Sequence, residues 1–116
     1  MKPQVLLQDG LQRHQQGRLA EAERLYRAAL ERDPKNFDAL RLLAMALMQQ
    51  GRLDDAAQFA SKAVKRNPVS YDALTLHGSI LLKLRRIGDA VSCFDRAVVA
   101  HPANADARYN LSLIHI

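Results

Sequence analysis

Pro34, Pro68 and Pro102 recur at an interval of 34 residues. Two sets of alanines keep step with them: Ala22, Ala56 and Ala90, and Ala29, Ala63 and Ala97. A longer phrase does the same, since Gln15-Gln16-Gly17-Arg18-Leu19 returns as Gln49-Gln50-Gly51-Arg52-Leu53. Between residues 37 and 68, apolar residues fall at helical spacing on both sides of Gln50-Gly51-Arg52. The unit therefore reads as two amphipathic helices joined at that turn and stopped by a proline. Neighbouring units bury by stacking the apolar faces that one unit leaves open. The period thus points to an all-α solenoid of antiparallel helix pairs. Its units are expected over about 3–36, 37–70 and 71–104, with a partial unit at 105–110.

Composition narrows the class further. A chain of 116 residues is one domain's worth of sequence. Hydrophobic residues make up 48%, aromatics only 5%, and there is no Trp, so the core must be mostly Leu, Ala, Val and Met. The one cysteine, Cys93, excludes an internal disulfide and suits a reducing compartment. No apolar run approaches the roughly 18 residues of a membrane span. The opening MKPQVLLQDGLQRH lacks the apolar stretch of a secretory signal. The expectation is a cytoplasmic protein with no membrane partner. Net charge is +5, but the basic residues are interspersed with Asp and Glu and no aromatics interleave to stack on bases. The charge is read as a solvated helical surface, and nucleic acid is not expected as a partner.

Taken in order, helices are expected at 3–16, 19–32, 37–50, 53–66, 71–84 and 87–100, with a seventh beginning after Asn104. Asn36, Ser70 and Asn104 are the expected N-caps. Asp9 and Arg13 stand where the second unit has Leu43 and Leu47, which marks the first helix as a polar end cap. Two local departures stand out. Arg85 occupies the turn position of Gly17 and Gly51, with Gly88 three residues later, so the turn is expected to survive there with altered local geometry. Tyr26 and Phe94 are matched in the second unit by Ala60, with Phe59 beside it, so the aromatic plug is expected to be displaced in that unit.

Spaced Leu–small–Leu on each first helix, with Gly10, Ala44 and Gly78 as the small residues, resembles the tetratricopeptide repeat pattern. So do Ala–aromatic–Ala on most second helices and the proline after each pair. The resemblance covers nearly the whole chain. It implies a right-handed superhelix whose first helices line a concave groove. The groove residues it implies are Gln4, Leu7, Gln8, Leu11 and His14 from the first helix. From the next come Asp38, Arg41, Leu42, Met45, Met48 and Gln49, and from the third Asp72, Thr75, Leu76, Ser79, Leu82 and Lys83. The implied function is a protein-interaction scaffold that holds a peptide segment of a protein partner there, and Met45 and Met48 suit an adaptable surface. Chaperone-binding members clamp a C-terminal carboxylate with lysine, asparagine and arginine. The matching positions here are Leu7, Leu11, Leu42, Asp72 and Leu76, none of which donates a hydrogen bond at neutral pH, so that role is not expected.

Nothing in the sequence assembles a catalytic set. His14, His77, His101 and His115 lack metal-ligand spacing among themselves or with Cys93. There is no phosphate loop, dinucleotide fingerprint or nucleophile elbow, so neither enzyme activity nor a cofactor is expected. His77 is read as a hydrogen-bonded core histidine and Cys93 as a small apolar residue. The opening LLQDGLQRHQQGRLAEAERLYRAAL resembles the start of bacterial proteins whose repeats precede a further domain. These include relatives of O-linked N-acetylglucosamine transferases and sulfotransferases. The alternative reading is therefore a substrate-recruiting array of a larger transferase. Leu111–Ile116 reads LSLIHI, and its reverse translation CTG TCT CTT ATA CAC ATC resembles a transposon end used to fragment DNA for sequencing. A native chain to Asn110 followed by an adapter-derived tail is expected. Such a truncation implies an apolar edge around Leu81, Ile87 and Leu111, and self-association through it.

Overall fold

The computed structural model describes residues 1–103. Six α-helices follow in order: α1 Pro3–Gln15, α2 Leu19–Arg32, α3 Phe37–Gln49, α4 Leu53–Arg66, α5 Tyr71–Lys83 and α6 Ile87–Ala100. There is no strand among the described residues, and no described helix is long and apolar enough to cross a membrane. The first helix of each pair stops one residue short of the expected span. The cap at Asn104, the partial unit at 105–110 and the tail at 111–116 lie outside the described residues.

The helix ends repeat from unit to unit, except that α1 starts after Lys2 with no side-chain cap bond. The second helices stop at Asp33, Asn67 and His101, where φ is −143°, −141° and −138°. Each of these residues precedes a proline, whose ring disfavours helical backbone before it. The Asn36 side chain accepts the Ala39 N–H at 3.0 Å, and the Ser70 hydroxyl accepts the Ala73 N–H at 3.2 Å. Those bonds satisfy donors that a helix start leaves without partners. The second helices begin differently, at Arg18, Arg52 and Arg86, with no side-chain cap bond. There each guanidinium pairs with a carboxylate three residues on: Arg18 with Glu21 at 3.6 Å, Arg52 with Asp55 at 3.5 Å and Arg86 with Asp89 at 2.9 Å. The carboxylates in the first turn also suit the helix dipole.

The third turn corrects the sequence expectation. Arg85 does not alter the geometry; it adopts the left-handed conformation itself, at φ 62°, where Gly17 and Gly51 stand at 77° and 79°. The Arg85 N–H donates to Leu82 O at 3.0 Å and the Arg86 N–H to Leu81 O at 2.9 Å. Gly51 and Arg52 make the same two bonds, to Met48 O at 2.9 Å and Leu47 O at 3.0 Å. Packing across the turn thus imposes a conformation that costs a side-chain-bearing residue about 1–2 kcal/mol.

Every helix packs on the next in sequence, and α3 also touches α1 and α5. Within the first and third pairs the close approach depends on glycine. A Cβ added at Gly10 would lie 2.5 Å from Tyr26 Cε1, and one at Gly78 would lie 2.9 Å from Phe94 Cζ. Tyr26 and Phe94 are 0% and 1% exposed, and burying such a ring contributes about 2–3 kcal/mol. In the middle pair both positions are alanine, and Ala44 and Ala60 are fully buried. Phe59, one residue off the plug position, lies half-buried at the edge of the core between the Arg27 guanidinium, 5.4 Å from its centroid, and the Lys62 ammonium at 5.1 Å. Leu81 does not form the open edge expected of it: it is buried, while Ile87 is exposed.

The junction between the first two units carries a polar knot. The Glu23 side chain is 12% exposed and accepts from Arg27 Nε at 2.9 Å, Gln50 Nε2 at 3.1 Å and Arg52 Nη1 at 2.7 Å. Burial alone pushes its carboxyl upward, but the bonds from Arg27 and Gln50 and the charges of Arg52 and Arg27 outweigh it and leave the carboxyl below its usual 4.5. One repeat on, the matching positions are Ala57, Ser61 and Leu84, with Arg86 in place of Arg52.

Three outcomes are expected in urea unfolding. Gly78→Ala destabilises by about 1–3 kcal/mol, and by far less in a Phe94→Ala background, because the added methyl then meets no ring. Arg85→Gly stabilises by about 0.5–1 kcal/mol, since relief of the left-handed strain exceeds the entropy that glycine adds to the unfolded chain. Glu23→Gln lowers stability at pH 7 by about 1–2 kcal/mol. A carboxyl whose folded value is lowered stabilises above its unfolded value, and that stability is lost as pH falls through the folded one. The gap between Glu23→Gln and the parent should therefore close below about pH 4.5.

Candidate functional site

Helical spacing places Arg41, Met45 and Met48 on one face of α3, and Asp72, Thr75, Leu76 and Ser79 on one face of α5. The two faces meet across a hollow of about 340 Å³ lined by these seven residues. Its floor is apolar. Met45 and Met48 are half-buried against the core, with thioethers that adapt to irregular surfaces. Its rims carry charge of both signs. Arg41 is 21% exposed and loosely paired with the exposed Asp38 at 3.5 Å. Asp72 lies in the first turn of α5. Thr75 donates its hydroxyl back to Tyr71 O at 2.9 Å. Ser79 makes no side-chain hydrogen bond among the described residues and is free to bond a ligand. The hollow offers an apolar anchor site between a cation and a carboxylate, with a hydroxyl to orient a backbone.

The remaining residues read from the sequence divide into three groups. Leu7, Leu42 and Leu76 are 8%, 5% and 8% exposed and belong to the core. Each is packed between helices, and of the three Leu76 alone also lines the hollow. Gln4, Gln8, Leu11, Asp38, Leu82 and Lys83 are exposed along the first-helix face outside the hollow. His14 and Gln49 form a bridge. The Tyr26 hydroxyl lies 3.0 Å from His14 Nδ1, and His14 Nε2 is bonded to Gln49 Oε1. With Gln49 presenting an oxygen, Nε2 donates and Nδ1 accepts from Tyr26. Burial pushes Tyr26 up to about 12, the Arg41 charge offsetting part of it, so the phenol stays protonated to donate. The bridge ties α1, α2 and α3 together and engages both nitrogens of His14. No sequence pattern announces it, because its partners are separated by 12 and 35 residues.

A second cavity, of about 460 Å³, was not anticipated from the sequence. Ala57 and Ser61 of α4, His77 and Leu81 of α5, and Asp89, Ser92 and Cys93 of α6 are among its lining. Its origin is legible in the repeat: Glu23 and Arg27, which knot the first junction, become Ala57 and Ser61 in the second. His77 Nδ1 lies 3.5 Å from Cys93 Sγ. Burial, helped by the Arg86 and Arg96 charges and opposed by Asp89, lowers the imidazole, and burial raises the thiol. Both are therefore neutral at pH 7, the opposite of an activated thiolate–imidazolium pair. Among the described residues no group of three or more His, Cys, Asp or Glu side chains could hold a metal.

A family model for the tetratricopeptide repeat matches residues 11–71 and 75–116. No curated protein matches the chain in sequence. Among solved structures, the chain is similar to the first TPR of Spaghetti (RPAP3) bound to HSP90 peptide SRMEEVD. The TM-score is 0.94 at 24% identity, covering 98% of this chain and 90% of that one. It is similar to MamA at TM-score 0.90 and 26% identity, covering 97% of this chain and 62% of that one. It is also similar to part of the Thermobaculum terrenum O-GlcNAc transferase, at TM-score 0.88 and 21% identity, covering 97% of this chain and 22% of that one. These likenesses agree with the helix pairs, the 34-residue period and the small–large contacts: the chain belongs to the tetratricopeptide repeat family.

Proposed function

We propose that this array is a protein-interaction scaffold that holds a short segment of a partner protein in the hollow between α3 and α5. The observation that carries the reading is the hollow's chemistry: a floor of Met45 and Met48 between Arg41 and Asp72. A similarly folded array, the first TPR of Spaghetti (RPAP3), holds a chaperone peptide, which supports peptide binding as a use of this architecture. The positions that clamp a terminal carboxylate in chaperone-binding relatives are Leu7, Leu11, Leu42, Asp72 and Leu76 here. Three of these are buried leucines and one is a carboxylate. The segment taken is accordingly an internal one, anchored by an apolar side chain. A second reading puts the same groove to work inside a larger transferase, as its recruiting part. A similar array occupies 22% of the T. terrenum transferase chain, which supports that arrangement.

The chain has three methionines, so their methyl signals report the groove directly. A peptide selected from a random display library should shift the Met45 and Met48 methyls and leave Met1 unmoved. Met45→Glu should weaken that peptide by more than about tenfold, the loss of one apolar anchor plus a desolvated charge, with helicity by circular dichroism unchanged. Leu42→Glu is no test of binding, since at 5% exposure it would disrupt the core. Selected peptides that bind Met45→Glu as tightly as the parent would refute the groove.

A further inference from the structure

Where the α2–α3 loop meets the second half of α4, Pro34, Lys35, Leu40, Lys62, Lys65 and Arg66 line a hollow of about 310 Å³. Four of the six are cations and none is acidic. Among the described residues five arginines pair with carboxylates, but Lys35, Lys62, Lys65 and Arg66 pair with none. Two of the four are nonetheless held in place. Arg66 Nε donates to Lys35 O at 3.1 Å, which leaves its terminal nitrogens without a hydrogen bond among the described residues. The Lys62 ammonium rests 5.1 Å from the Phe59 centroid. The floor between them is the buried Leu40 and the ring of Pro34.

The repeat supplies its own control. The matching hollow one unit on, about 280 Å³, is lined by Pro68, Val69, Asp95, Arg96, Val99 and Ala100. The 34-residue step sets Lys35 against Val69, Lys62 against Arg96, Lys65 against Val99 and Arg66 against Ala100. The fold therefore builds this hollow with a single cation, Arg96, where the first has four, and Asp95 places a carboxylate beside it. The helix dipole favours cations in the last turn of α4, which holds Lys65 and Arg66; Lys62 lies before that turn and Lys35 belongs to another segment. Gathering four unneutralised cations around an apolar floor is a feature of chemistry rather than of folding.

We infer that this hollow is a second docking site, for an acidic segment of a partner protein in which carboxylates flank one apolar side chain. Carboxylates meet the rim and the apolar residue meets Leu40 and Pro34. Nucleic acid fits less well. No aromatic ring lines the hollow, and Phe59 beside it is already engaged by the Arg27 guanidinium and the Lys62 ammonium. The site is separate from the α3–α5 groove, shares no residue with it, and stands or falls independently of it.

Fluorescence anisotropy of the full chain with a labelled Glu-Glu-Glu-Leu-Glu-Glu-Glu peptide at low salt tests the assignment. The peptide should bind, weaken as salt rises, and lose binding when its glutamates become glutamines. Lys62→Glu and Lys35→Glu should each weaken it about tenfold or more. Lys2→Glu, the same change of charge at the start of α1, should leave binding unchanged. Lys35 lies in a loop, so its variant reports even where a change in α4 perturbs folding. Absence of binding, or equal binding by parent and both hollow variants, overturns the proposal. So does tighter binding of a labelled oligothymidine than of the peptide, which would assign the hollow to nucleic acid.

Discussion

The distance between the two helices of a pair governs this molecule. At Gly10 and Gly78 the backbone of a first helix comes so near an aromatic ring that even a methyl group would overlap it. Tyr26 and Phe94 fill the space that the missing side chains leave. In the middle unit Ala44 and Ala60 stand at these positions with much less volume, and Phe59 packs against the core beside them. Once each pair closes at this spacing, the apolar faces left outside can be buried only against the next pair. The solenoid follows from that.

The surfaces follow from the stacking. A solenoid repeats its hollows as it repeats its helices, and the residues on each rim decide what the hollow is. The first junction is closed by Glu23, Arg27, Gln50 and Arg52; the second, with Ala57, Ser61 and Leu84, opens into a cavity. On the loop edge one hollow is rimmed by lysines and the next by valines. On the first-helix face, the Tyr26–His14–Gln49 bridge ties α1 to α3, while the methionine-floored groove lies between α3 and α5. A binding array is thus differentiated by substitutions at matched positions that leave the backbone nearly unchanged.

Much of this was legible in the residues themselves. The interval between prolines, the Leu–small–Leu spacing and the caps at Asn36 and Ser70 determine six helices, their order and nearly all of their ends. The reasons are local: a proline forbids helix before it, and a cap needs only its own next three residues. Three other matters were decided by tertiary structure. Arg85 takes a left-handed backbone because the flanking helices hold the turn to the geometry of Gly51, against the residue's own preference. Leu42 shares a helix face with groove residues, yet the adjoining helices lie close enough to cover it, and helical spacing cannot report that distance. His14 is tied to Tyr26 and Gln49 because three helices converge there. Sequence by itself determined what repeats and where each element starts and stops. Only packing decided which residues of a shared face remain open to a partner, because exposure depends on neighbours that are distant in the chain.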